Sequence, residues 1–105
     1  MKEILWLGSS YHDLKAFPAD AKQNAGFQLH KVQQGDEPND WKPMASIGEG
    51  VREIRIKAES GAFRIVYVAN IGIKIYVLHA FQKKAQKTSL RDIELAQARF
   101  KTIKR

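Results

Sequence analysis

The chain has 105 residues, 44% hydrophobic and 28% charged, which suits one compact domain over residues 1–105 and excludes a disordered polymer. Cysteine is absent, so a disulfide framework, a thiolate metal site and a cysteine nucleophile are all excluded. The formal net charge of +7 points to a polyanionic partner or to a strongly solvated face.

In chain order, residues 2–7 (Lys-Glu-Ile-Leu-Trp-Leu) read as a short strand. Gly8-Ser-Ser follows, and a serine there can cap a short helix over Tyr11 to Phe17. The Phe17-Pro18 step ends that helix, and Pro18 suits the first turn of the next. Ala21, Ala25, Leu29 and Val32 then recur at helical spacing and form one apolar stripe. Gly26 weakens this helix, and Gly35 is a natural C-terminal stop. The two helices form an N-terminal hairpin. Gly35-Asp-Glu-Pro-Asn-Asp40 is a loop, and Gly48-Glu-Gly50 is another before the next strand.

Beyond that loop the apolar period changes to two. Ile54 and Ile56, then Phe63, Ile65 and Tyr67, then Ile73, Ile75 and Val77 define three strands, with hairpin breaks at Ala58-Glu-Ser-Gly61 and Asn70-Ile-Gly72. The second and third of these strands are apolar on both faces, which predicts the sheet interior. Ser89-Leu-Arg-Asp92 is a weak capping box that starts a last helix. Its stripe, Ile93, Ala96, Phe100 and Ile103, belongs on the sheet or on the N-terminal helices. The predicted class is α+β: a curved antiparallel sheet in the order β-α-α-β-β-β-α, with helices against one face. The longest nearly apolar run, Ile71 to Phe81, is broken by Lys74 and His79 and is far short of the roughly 20 residues of a membrane span. Met1-Lys-Glu-Ile-Leu-Trp6 lacks a signal h-region. A soluble cytoplasmic protein with no membrane partner is expected.

The charge is unevenly placed. Residues 1–73 hold nine basic and nine acidic residues, whereas residues 74–105 hold nine basic residues against only Asp92 and Glu94. A two-residue turn between Ala58 and Gly61 puts Arg55 opposite Arg64 and Lys57 opposite Ala62, with Arg55, Lys57 and Arg64 on one sheet face. Like charges directly opposite are destabilising, so the pair has either a use or a neutralising neighbour such as Glu53. His79 and Phe81 end the third strand, and Lys83, Lys84 and Lys87 lie just beyond it. Arginines on a sheet edged by lysines suit a phosphodiester, because guanidinium groups bind phosphate in a fork and stabilise charge growing on it. An aromatic ring there can stack an unpaired base. Phe81 equally suits core packing, and His79 a hydrogen-bonded strand position. The second hairpin's loop does not set its register, so the face of His79 stays open. His12, His30 and His79 lack zinc spacing, and neither a P-loop nor a dinucleotide fingerprint occurs, so no metal or cofactor is expected. Trp6 and Trp41 read as packing anchors.

Trp41-Lys-Pro-Met44, Glu53-Ile-Arg55, Phe63-Arg-Ile-Val-Tyr67 and Leu78-His-Ala-Phe-Gln-Lys-Lys84 together resemble the RelE/HigB superfamily of bacterial toxins, and within it the phage-related HigB-like branch. The resemblance runs over nearly the full length. It implies a RelE/ParE-like fold and the toxin of a type II toxin–antitoxin pair, an mRNA interferase that cuts mRNA on the ribosome with the RNA 2′-hydroxyl as nucleophile. It further implies an acidic or helix-turn-helix, HigA-like antitoxin as partner. Carried over, Arg64 binds phosphate and stabilises the transition state, and Arg55 matches a lysine of the preceding strand, with Lys57 beside it. Lys84 serves the leaving 5′-oxygen, with Lys83 as its neighbour. Leu90 stands where the RelE-type tyrosine would, which leaves the general base to His79 or to a lysine. The alternatives are a ParE-like gyrase inhibitor and a non-catalytic nucleic-acid-binding domain.

Overall fold

The computed structural model describes residues 1–104. The chain runs through β1 (Glu3–Trp6), α1 (Ser10–Lys15), α2 (Ala19–Gln33), β2 (Trp41–Pro43), β3 (Val51–Ala58), β4 (Gly61–Ile71), β5 (Lys74–Lys83) and α3 (Leu90–Lys101). The strands form one five-stranded sheet in the order β1-β5-β4-β3-β2. The α+β class matches the expectation, and β4 and β5 lie inside the sheet as their two-sided apolar pattern requires.

Three details correct the sequence reading. The sheet is mixed, because β1 pairs with β5 in parallel, with Ile4 beside Ile75 and Trp6 beside Val77. A local pattern gives a strand no direction, so this pairing is invisible in the sequence. A short edge strand, β2, was not predicted: it spans only three residues and includes Pro43, which an edge tolerates. The helices also cover both faces. The stripe of α2 packs with Leu14 and Phe17 against Ile54, Ile56, Phe63, Ile65 and Tyr67 on one side. Ala96 of α3 lies on the other side with Val51, Val66, Val68 and Leu78. Each large apolar side chain buried this way stabilises by about 1.5–3 kcal/mol.

The local stops act as read. Gly35 adopts φ 88 just after the end of α2, where an L side chain would be strained. Gln28, buried in α2, accepts the Asn39 N–H at 2.8 Å and so holds the following loop. Ser89 caps α3 by accepting the Asp92 N–H at 3.2 Å. Arg99 of α3 donates to the Leu78 carbonyl at 2.8 Å and to Ser9 Oγ at 3.1 Å, tying α3 to β5 and to the β1–α1 turn. Gly8 must be glycine beneath that guanidinium: its φ is 55, and an added Cβ would lie 2.4 Å from Arg99 Nε.

The β3–β4 hairpin has the predicted register, Ala58 with Gly61 and Arg55 with Arg64. The β4–β5 turn is Gly72-Ile73, so Asn70 and Ile71 remain in β4 and Ile73 sits exposed at the tip. Two irregularities follow along this ladder. One puts an extra residue on β4 between Val68 and Ile71, and the other puts Leu78 as an extra residue on β5. They offset one another, so Val66 pairs with His79 and Arg64 with Phe81. His79 therefore shares the face of Arg64, which the sequence left open.

At the hairpin tip, Asp20 in the first turn of α2 accepts the Ser60 hydroxyl at 2.8 Å. That bond holds the Asp20 carboxyl below its ordinary range, with slight burial opposing it. A depressed folded-state value means the stabilisation is full above the unfolded-state value and is lost as pH falls through the folded one. Urea unfolding of the parent and of Ser60→Ala over a pH series is expected to show a gap at neutral pH that closes in acid. A gap independent of pH would mean that Ser60 acts without the Asp20 charge.

Candidate functional site

One half of the face that carries α3 is apolar and covered. The other half, toward the ends of β3 and β5, is polar. Its centre is Glu53, a β3 carboxylate with 0% exposure. Arg64 Nε approaches Glu53 Oε1 at 3.6 Å, Lys42 Nζ approaches the same oxygen at 4.0 Å, and Thr88 donates its hydroxyl to Oε2 at 2.7 Å. Arg64 is itself buried and donates from Nη1 to the Phe63 carbonyl at 2.9 Å. Burial lowers the Arg64 value from the ordinary arginine range, and the Glu53 charge opposes that shift.

Glu53 is thus the neutralising neighbour that the opposed arginines required. Arg55, half-exposed, turns toward Asp40, with Nη1 3.9 Å from Oδ1. Lys57 is exposed at the end of β3, and Lys57 and Lys83 both pair with Ala62, one from each neighbouring strand. Lys83 is held below the ordinary lysine range by partial burial and then by the Arg64 charge.

Beside this group a cleft of about 410 Å³ opens between the end of β5, the 84–89 segment and the first turn of α3. His79, Phe81, Lys83, Lys84 and Lys87 line it, together with Ser89, Arg91 and Asp92. Arg55, Lys57 and Arg64 stay on the adjoining sheet surface and do not line it. His79 stacks on Phe81 with ring centroids 4.6 Å apart and an interplanar angle of 24°. Its Nε2 lies 2.7 Å from Asp92 Oδ1, while Nδ1 is buried with no hydrogen-bond partner among the described residues. The Ser89 hydroxyl donates to the other Asp92 oxygen at 2.7 Å.

Sequence reasoning gave Asp92 only the role of a helix cap and Thr88 none. The Ser89-x-x-Asp92 spacing does mark the start of α3. Its meeting with His79 requires α3 to fold back over the end of β5, which no local signal carries. A second cavity of about 280 Å³ lies on the other face, lined by Lys2, Arg52, Tyr67 and the acidic Asp36 and Glu37. Its cations are committed already: Lys2 donates to the Ala69 carbonyl at 2.9 Å, and Arg52 lies 3.7 Å from Glu37 over the Trp41 ring.

Removing one member of a buried ion pair costs about 3–5 kcal/mol, whereas replacing both by apolar groups is often neutral. Glu53→Ala is therefore expected to lower the urea midpoint by a loss of that size, and the double variant Glu53→Met/Arg64→Met to recover most of it. A Glu53→Ala protein as stable as the parent would remove Glu53 as the counter-ion of Arg64.

The family described as Phage derived protein Gp49-like (DUF891) matches residues 12–101. No curated protein matches the chain.

Proposed function

The chain belongs to the phage-derived Gp49-like family, and from that premise we propose that it is the toxin of a type II toxin–antitoxin pair, an endoribonuclease that cuts mRNA on the ribosome. The family is a RelE/HigB-type toxin family of toxin–antitoxin systems, which implies an antitoxin partner. In this reading residues 1–105 form a single RelE/ParE-like domain of the HigB-like branch that acts in the cytoplasm. Among the described residues no helix is long and apolar enough to cross a membrane. The antitoxin is a HigA-like helix-turn-helix protein whose acidic surface covers the basic face, and complementary charge speeds such an association.

The observation that carries the reading is the cleft itself: lysines on its rim and a histidine–carboxylate pair at its wall, beside a buried arginine on the same sheet face. RNA is a polyanion, and Lys83 and Lys87 would hold its phosphates. Arg64 and Arg55, with Lys57, supply positive potential from the sheet to the phosphorus that gains charge in the transition state. Lys84 serves the leaving 5′-oxygen, the pair of His79 with Asp92 stands at the proton-transfer position, and Phe81 offers a ring for an unpaired base. The nucleophile is the 2′-hydroxyl of the RNA, so no cofactor is required.

Induction of the chain in a bacterial host without antitoxin, followed by primer extension on a reporter mRNA, tests this. Growth arrest with translation-dependent cuts is expected. With Lys83→Ala/Lys84→Ala the cutting rate is expected to fall by about 10²-fold, the loss typical of removing transition-state charge stabilisation. Arrest without cuts would replace the ribonuclease by a gyrase-directed toxin, and no arrest with folded protein present would leave a binding domain.

A further inference from the structure

We infer that Asp92, and not the ring of His79, meets the substrate 2′-hydroxyl and takes its proton, with His79 as the positioning residue behind it; this deepens the ribonuclease reading and rests on it. The geometry of the pair carries the argument. One ring nitrogen, Nε2, is engaged with Asp92 at 2.7 Å, and the other, Nδ1, is buried with no partner among the described residues. Phe81 covers a face of the ring. No ring nitrogen of His79 is therefore free toward the cleft. The side chain of Asp92 is 27% exposed and that of His79 only 7%, so the carboxylate is the end of the pair that solvent or a substrate reaches.

The carboxylate is also held. Oδ1 takes the His79 contact, Oδ2 accepts from the Ser89 hydroxyl, and the Asp92 N–H donates to Ser89 Oγ. Contacts on both oxygens, in the first turn of a helix, fix its rotamer before any substrate arrives. With Nε2–H donating to Asp92, the imidazole orients the carboxylate and keeps its own Nδ1 out of the chemistry. In the step itself, the proton leaves the 2′-oxygen for Asp92 as that oxygen bonds to phosphorus. The bond from phosphorus to the 5′-oxygen breaks, and the leaving oxygen takes a proton from the Lys84 ammonium. The products are a 2′,3′-cyclic phosphate and a 5′-hydroxyl, and exchange with water returns a proton from Asp92 to Lys84.

The test is cleavage of mRNA on programmed ribosomes by the purified protein, with folding checked by circular dichroism. Asp92→Asn keeps the shape but cannot take the proton, and kcat is expected to fall by about 10²-fold or more with KM nearly unchanged, the range of general-base catalysis. His79→Gln keeps an N–H donor toward Asp92 and is expected to retain kcat within about tenfold, above His79→Ala, which has no donor. Ser89→Ala, which removes the helix cap and leaves the His79 contact, is expected to stay well above Asp92→Asn. His79→Gln as inactive as Asp92→Asn, or Asp92→Asn as active as the parent, would overturn the assignment. Should Asp92→Asn fail to fold, Asp92→Ser, which also lacks a proton-accepting carboxylate, carries the test, and an unchanged kcat there would overturn the assignment. A parent that cuts no RNA at all would instead overturn the ribonuclease reading, a result these variants distinguish from failure of the Asp92 assignment.

Discussion

The carboxylate of Glu53 has no solvent exposure, yet it lies within 4.0 Å of two cations and accepts a hydroxyl from a residue 35 positions away. A buried charge is tolerated only when paired and hydrogen-bonded. This requirement organises the polar half of the sheet. It draws Arg64 inward instead of letting it extend into solvent, and it draws Lys42 across from the edge strand. Through Thr88 it also ties the basic segment after β5 back to β3, so the lysines of that segment stand over the sheet instead of trailing from it. Without the carboxylate, Arg64 would be a buried cation facing Arg55 across the ladder.

The apolar half of the same face imposes the complementary constraint. Ala96 of α3, with no exposure, sets the helix close on Val66, Val68 and Leu78. Because α3 begins beside the end of β5, its first turn sits where the apolar half meets the polar half. Arg99 secures the far part of the helix to the Leu78 carbonyl. The paired irregularities in β4 and β5 matter here too: Leu78 and His79, consecutive in sequence, both turn to the α3 side, one into the apolar cluster and the other onto Asp92.

The result is a shallow cleft whose walls differ in kind. One wall is a carboxylate and an imidazole held in fixed geometry, and the opposite rim is long cationic side chains on an exposed segment. Fixed groups suit proton transfer, where a small misplacement is costly. Flexible lysines suit a polyanion whose path varies, because a point charge on a long stem adapts where a guanidinium fork would not. Arg64, buried in its pair with Glu53, is a charge that acts on the cleft by its field more than by contact.

The sequence alone determined every element but β2, and one register. Period-two patterns between residues 53 and 78 and helical stripes from Ala21 to Val32 and from Ile93 to Ile103 follow from alternation and from 3.6-residue spacing, which are local properties. The two-residue turn between Ala58 and Gly61 was enough to put Arg55 against Arg64, because a short turn leaves the ladder no freedom. The surplus of lysine after residue 73 was visible as composition, and so was the capping spacing of Ser89 and Asp92. Tertiary structure decided the rest: the parallel direction of β1, the face taken by α3, the burial of Arg64 on Glu53, and the meeting of His79 with Asp92. Each of these joins segments far apart in the chain, or, as with His79, depends on how two ladder irregularities offset one another. Such choices are set by which surfaces bury together and by which charges must be paired once they are buried, and no local pattern contains that information.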